Sequence, residues 1–402
     1  MINSVYKQHE QLSATLIVAL LVFMLNPLIG ILLTAIQAIS KNRLDLIKVL
    51  IVLLILYLSA LNTTKTPDSD MWEYINMFLQ VPKAGFMKTL GYLSNSDSPK
   101  DVVYSGSVYL LYYLLLGNEY LFIFLVSSLS YAFIFAAIYK FGKRYKLPIF
   151  LIVAQVMTLA FFTQYFSLSF HLTRQELATS LFFYALTFKE YSLKKFLIWS
   201  AIAAMVHSTI LVIIMLSLIP FMGRHLNKKE ILILVVFAAS FIALFSALGD
   251  FILSRVALSG EALANASRMA EMEGARDVTE GNDFITNAIS IMIALITIYD
   301  ITRKKKMIYP IVVNLGFVWS LLIISLAPSP ILQYRFFFIE YSFLPFLLFL
   351  PFKANKTFLR LSTTVVVVFL IVYFYATLNK VFHYVPEIEA ILDPFPILIK
   401  LA

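Results

Sequence analysis

The sequence predicts an all-α polytopic membrane protein: about 10 full transmembrane helices, a re-entrant or broken helical hairpin over 196–222 and an interfacial helix over 107–116. Three observations predict it. Hydrophobic residues make up 60% of the chain and charged residues 14%, and the mean hydropathy is +0.85, far from a soluble domain. The apolar runs are long enough to cross ~30 Å of hydrocarbon as helices, the form that satisfies its own backbone groups in lipid. Between them stand six short basic clusters: Lys41/Arg43, Lys140–Lys146, Lys189–Lys195, Arg224–Lys229, Arg303–Lys306 and Lys353–Arg360. Basic loops beside spans mark the cytoplasmic face.

Spans are expected near 14–39, 44–61, 119–139, 148–168, 174–189, 231–248, 284–300, 307–327, 336–352 and 358–378. The first is too long for the core of a signal peptide, so it reads as an uncleaved span, kinked at Asn26-Pro27. Residues 107–116 are too short to cross; with Tyr109, Tyr112 and Tyr113 they read as an interfacial or re-entrant helix. The apolar run Phe196 to Met222 is flanked by basic clusters on both sides, so a single crossing would put Arg224, Lys228 and Lys229 outside. Two half-helices with His207-Ser208 near the turn keep every cluster inside, and broken helices at membrane depth line protein-enclosed or wet sites.

The whole chain, 1–402, reads as a single integral membrane domain without internal repeats, and residues 62–104 and 249–283 as its two long outer loops. The absence of Cys excludes disulfides and thiolate metal sites. The net charge of +9 resides in juxtamembrane loops, where lipid and orientation account for it, so no nucleic-acid partner is implied. No cofactor is called for, and a divalent metal is left open.

Polar residues then locate the chemistry. Arg174 opens an apolar helix on the outer side, against the orientation rule, within Phe170-His171-Leu172-Thr173-Arg174-Gln175-Glu176. Arg335, after Gln333-Tyr334, repeats the situation. Two outer guanidiniums suit a diphosphate, which they bind bidentately without deprotonating; snorkelling to lipid phosphate, or pairing of Arg174 with Glu176 or Asp70, is the plainer alternative. His207 with Ser208 lies deep in an apolar segment and could donate to a sugar or phosphate or act as a base; a hydrogen-bonded core histidine is its alternative. Asp68 and Asp70, followed by Trp72, Glu73 and Tyr74, offer a carboxylate for a sugar hydroxyl and rings for sugar faces, although acidic residues crowd any solvated loop.

This order of residues resembles the EpsG-like branch of the Wzy-type bacterial polysaccharide polymerases, which make O-antigen or capsule. Asp68-Ser69-Asp70 with Tyr74 is similar to the family's acidic patch, and Thr173-Arg174-Gln175 with Leu177-Ala178 to its most recognisable motif. His207-Ser208 is similar to its His-x-Ser segment without the spacer, and Tyr334-Arg335 to its late Tyr/Arg pair; Phe170-His171 stands where an aromatic-Asn is usual. The resemblance implies a GT-C-like glycosyltransferase of the bacterial inner membrane, its site facing the periplasm. It implies that undecaprenyl-diphosphate-linked oligosaccharide repeat units are the substrates, in contact with membrane lipid and with a chain-length regulator and a flippase as partners. Arg174 and Arg335 would stabilise the departing diphosphate, and Asp70, or else His207, would take the acceptor proton. Asp68, Tyr74, His171, Gln175, Ser208 and Tyr334 would contact substrate. Two other readings stand beside it: a flippase or exporter of the same glycans, and a membrane O-acyltransferase built around His207. The topology is testable: a reporter fused after Lys229 is expected to report cytoplasm, and an external signal there would refute the hairpin.

Overall fold

The computed structural model describes residues 17–65, 69–91, 102–240, 280–302, 309–326, 330–350 and 356–381. Among them there are helices and connecting turns, and no strand. The helices are α1 (17–25), α2 (Pro27–Ser40), α3 (Leu44–Thr63), α4 (Ser69–Gly91), α5 (Val102–Leu114), α6 (Glu119–Arg144), α7 (Ile149–Ala160), α8 (Thr163–His171), α9 (Thr173–Leu186), α10 (Leu193–Val206), α11 (Leu211–Leu218), α12 (228–240), α13 (Glu280–Thr302), α14 (Pro310–Ser325), α15 (Pro330–Tyr341), α16 (Leu344–Leu347) and α17 (Lys356–Val381). They form two compact units, Met1–Leu211 with Lys356–Ala402, and Val212–Asn355.

Among the described residues three helices are long and apolar enough to cross a membrane, namely α3, α6 and residues Thr357–Thr377 of α17. The pair α7 and α8, bent by 52°, makes a fourth if taken as one span. The set is that of an all-helical, multi-pass protein, and among the described residues it covers part of the about ten full spans expected. Apolar runs that hydropathy reads as continuous are divided by local breaks into short helices; α9 and α10, with 14 residues each, reach only ~21 Å at 1.5 Å per residue. The expected kink at Asn26-Pro27 is present: α1 stops at Leu25, and Asn26 Oδ1 accepts from Ile29 N at 3.0 Å with Pro27 opening α2. The expected interfacial or re-entrant helix starts earlier, at Val102; its first half buries Tyr104, Ser105 and Val108, while Leu110, Tyr113 and Leu114 are exposed. It packs on α4, which occupies much of the connection expected to be a loop. The expected span 231–248 leaves the described residues after 240, and the expected outer loop 249–283 lies outside them up to 279.

In the first unit α3 packs between α2 and α6, α6 against α9, and α9 against α10; α17 covers α7 and α8. Asn118 caps α6 by accepting from Leu121 N at 3.0 Å, with Glu119 in the first turn and Lys143 and Arg144 in the last. These charges complement the helix dipole at both ends. The basic ends of several helices gather here. Arg144 donates to the Thr187 carbonyl and lies 3.5 Å from Glu190, to which Tyr145 donates at 2.5 Å. Lys140 stands 3.9 Å over the Tyr184 ring, Lys48 5.8 Å over Tyr139, and Arg360 5.4 Å over Phe150.

The second unit is organised around a carboxylate. Glu340 of α15, fully buried, accepts from Ser290 of α13 at 2.5 Å and from Ser320 of α14 at 2.7 Å. Asn314 of α14 donates to the carbonyls of Met222 and Arg224 at 2.9 and 2.6 Å, satisfying a short 3-10 turn over Pro220–Gly223.

The break at Asn26 folds α1 so tightly against α2 that a Cβ on Gly30 would sit 2.6 Å from Phe23 Cα. Backbone cannot yield as a side chain can. Gly30→Ala is expected to destabilise the protein by ~1–3 kcal/mol, the usual range for overpacking, read as a lower melting temperature in detergent. Gly106→Ala, whose Cβ would meet only Leu90 Cδ2 at 3.7 Å, is expected to leave it unchanged.

Candidate functional site

Arg174 stands in the first turn of α9, just after the break from α8 at Leu172. Thr173 secures that break by donating to the Phe170 carbonyl at 2.7 Å. The Arg174 guanidinium carbon lies 4.9 Å from the centroid of the Tyr74 ring and 6.0 Å from that of Tyr104. The two rings meet edge to face at 5.6 Å. Cation–π contact of this kind holds a guanidinium by its face and leaves its edge for hydrogen bonding.

On α4, one turn before Tyr74, stands Asp70. Tyr74 Oη donates to Asp70 Oδ2 at 3.3 Å, an i, i+4 pair on one helix face. Burial pushes the Tyr74 phenol above its ordinary value, so it remains a neutral donor to the carboxylate. The structure therefore brings Asp70, Tyr74 and Arg174 together, joined through one aromatic side chain. Arg174 also adds its charge to the positive end of the α9 dipole, an arrangement that favours an anion.

The alternative of an Arg174–Glu176 ion pair is excluded by helix geometry, since residues two apart face away from each other. Glu176 instead points to the interior. It is fully buried, and neither of its oxygens is hydrogen-bonded among the described residues. Ser130 stands beside it, but that hydroxyl donates to the Val126 carbonyl at 3.1 Å. Lys65, 4% exposed, follows the end of α3. Its ammonium donates to the Phe166 carbonyl at 2.6 Å and lies 3.6 Å over the Phe166 ring and 5.4 Å over Phe170. A buried polar seam continues from there: Asn62 donates to Ser127 Oγ at 3.0 Å and to Ser169 Oγ at 3.4 Å, and Ser169 is 3.2 Å from Tyr131 Oη.

His207 ends α10 in an extended conformation (φ −156°, ψ 123°) and Ser208, exposed, begins a 3-10 turn, so the helix breaks where the sequence places the break. α10 packs along α9, and the 3-10 turn that follows His207, Ser208–Ile210, also packs on α9. His171, 9% exposed, meets the Phe170 ring edge to face at 5.7 Å, and Gln175 is buried. Asp68 lies outside the described residues. Tyr334 and Arg335 fall on α15 of the second unit, with side chains outside the described set. Among the described residues no group of three His, Asp or Glu is arranged to hold a metal ion.

Tyr104 and Lys65 escape motif reading, and Glu176 enters it only as a partner for Arg174. For the two charged ones a signal was present, since each is an ionisable group at the end of, or inside, an apolar helix. Tyr104 carries no such mark.

A family model, that of the EpsG family, matches residues 45–392. No curated protein matches the chain. No solved structure matches it either.

Losing a buried hydrogen bond strands its partner at ~1–3 kcal/mol. Lys65→Met removes the donor to the Phe166 carbonyl and is expected to lower thermal stability by that order. Equal melting temperatures for the variant and the wild type would refute the role of that bond.

Proposed function

The chain belongs to the EpsG family, linked to exopolysaccharide biosynthesis, and from that premise we propose that it is a glycosyltransferase that polymerises lipid-diphosphate-linked oligosaccharide repeat units. One observation carries the reading: a permanent cation, Arg174, and a carboxylate, Asp70, held on facing elements by the same tyrosine.

Glycosyl transfer from a polyprenyl diphosphate needs a group to receive the charge that develops on the leaving phosphate, and a base for the acceptor hydroxyl. In the proposed step the hydroxyl of the incoming unit attacks the anomeric carbon at the reducing end of the growing chain. Its proton passes to Asp70, a glycosidic C–O bond forms, and the bond from that carbon to the diphosphate oxygen breaks. The lipid diphosphate departs against Arg174 and the α9 N-terminus. Tyr74 positions both groups, donating to the one and facing the other. Tyr104 completes the wall behind the guanidinium. His207 is the second candidate for the proton. Arg335 is proposed as a further phosphate ligand on its chemistry alone. The site faces the periplasm in this reading, opposite the basic helix ends.

The test is purified protein incubated with a defined undecaprenyl-diphosphate-linked repeat unit, with products read as a ladder on a gel. The expected result is a ladder whose rate falls ~10²-fold or more in Arg174→Ala, with Arg174→Lys restoring little because an ammonium lacks the planar fork. A normal ladder in Arg174→Ala at equal protein level would overturn the assignment. No ladder, with the repeat unit crossing vesicle membranes instead, would make the protein a carrier.

A further inference from the structure

At the opposite end of the first unit from Arg174 lies a cavity of about 580 Å³ between α2, α7 and α17, within the ~300–1,000 Å³ typical of ligand pockets. Its floor is α7, which packs against both α2 and α17. The lining is divided along its length. At one end stand Asn42, Arg360, Thr363 and Thr364; the rest is hydrocarbon, including Leu32, Met157, Val367 and Ile371.

Length and polarity together define an occupant. From Asn42 to Leu32 along α2, and from Arg360 to Ile371 along α17, the groove runs ~15 Å at 1.5 Å per residue. That is half of a ~30 Å hydrocarbon core, the depth of one leaflet. Exposed Ile36, Ile39 and Val368 continue the lining outward, so the groove opens sideways rather than into water. Its polar end is cationic. Arg360 is exposed, rests on the Phe150 ring and pairs with no carboxylate among the described residues. Asn42 is flanked in the chain by Lys41 and Arg43, and Pro148 at the same end follows Lys146 closely. A second observation points to a ligand: Thr363, 4% exposed and lining the cavity, has a buried hydroxyl with no hydrogen-bond partner in the described structure. Such a group calls for an acceptor or donor from outside the chain.

We propose that this groove is a binding site for an anionic glycerophospholipid of the adjoining leaflet, one acyl chain lying between α2 and α17 and the phosphate held by Arg360, with Thr363 donating to a headgroup or ester oxygen. The inference is independent of the glycosyltransferase reading. A polyprenyl diphosphate is the less suited occupant, because the groove's polar end stands at the start of α3 and Arg174 beside its far end, ~30 Å along that helix.

The test is native mass spectrometry of the full chain in detergent, titrated with phosphatidylglycerol, phosphatidylcholine or undecaprenyl phosphate. One phosphatidylglycerol retained per chain in preference to phosphatidylcholine is expected, with affinity falling about fivefold in Arg360→Gln, the effect of one basic residue on an anionic lipid. Val367→Trp, which fills the apolar half, is expected to abolish retention while the elution profile stays that of wild type. Equal retention of both phospholipids, or wild-type retention in both variants, would overturn the proposal. Displacement of phosphatidylglycerol by equimolar undecaprenyl phosphate would also overturn it, in favour of the polyprenyl occupant.

Discussion

The ammonium of Lys65 is the fixed point from which the first unit is built. A cation cannot remain in an apolar interior without partners, and this one has two kinds: a backbone carbonyl of α8 and the faces of two phenylalanine rings. All of them lie beside the α8–α9 break. The end of α3 is thereby tied to the turn that starts α9, and the direction of Arg174 follows, because Glu176 must face inward and a residue two positions earlier then faces α4 and α5. Arg174 is aimed by its buried neighbour. A seam of hydroxyls and amides from Asn62 to Tyr131 surrounds this anchor and gives the apolar packing a single register.

Chain breaks were legible in the sequence where a residue type enforces them. Asn26-Pro27 combines a cap with a ring that fits the first helical turn, and the structure divides the helix there. His207-Ser208 was read from charge balance, since basic residues on both sides forbid a simple crossing. The bend between α7 and α8 carries no Pro or Gly, and hydropathy averages across it. That averaging is why 148–168 reads as one straight span. Likewise α4 lay hidden: Asp70, Glu73 and Lys83 lower its hydropathy, so a helix that buries Tyr74, Phe78 and Val81 reads as a solvated loop.

Of the site, charge was legible and geometry was not. Arg174 stands out because the orientation rule disfavours it, and Asp70 and Tyr74 because they follow a span. Nothing local in the sequence says that Tyr104, 70 residues before Arg174 in the chain, supplies the second ring. Only the packing of α5 on α4 creates that wall. Lys65 breaks the orientation rule as Arg174 does, and a stricter use of that rule would have found it.

The hydrogen bond between Tyr57 and Tyr375, 2.6 Å long, spans 318 positions of the chain. Phe374 beside it closes over Phe161 and Phe166 at 5.4 and 5.1 Å. The first unit is thus interrupted by the entire second unit and completed by a helix made only after it. During synthesis the faces of α7 and α8 that receive Phe374 stay uncovered until α17 has been made. The order of biogenesis is written into that one late contact: a nascent chain stopped near residue 355 holds Arg174 and Asp70 but lacks the helix that closes their unit.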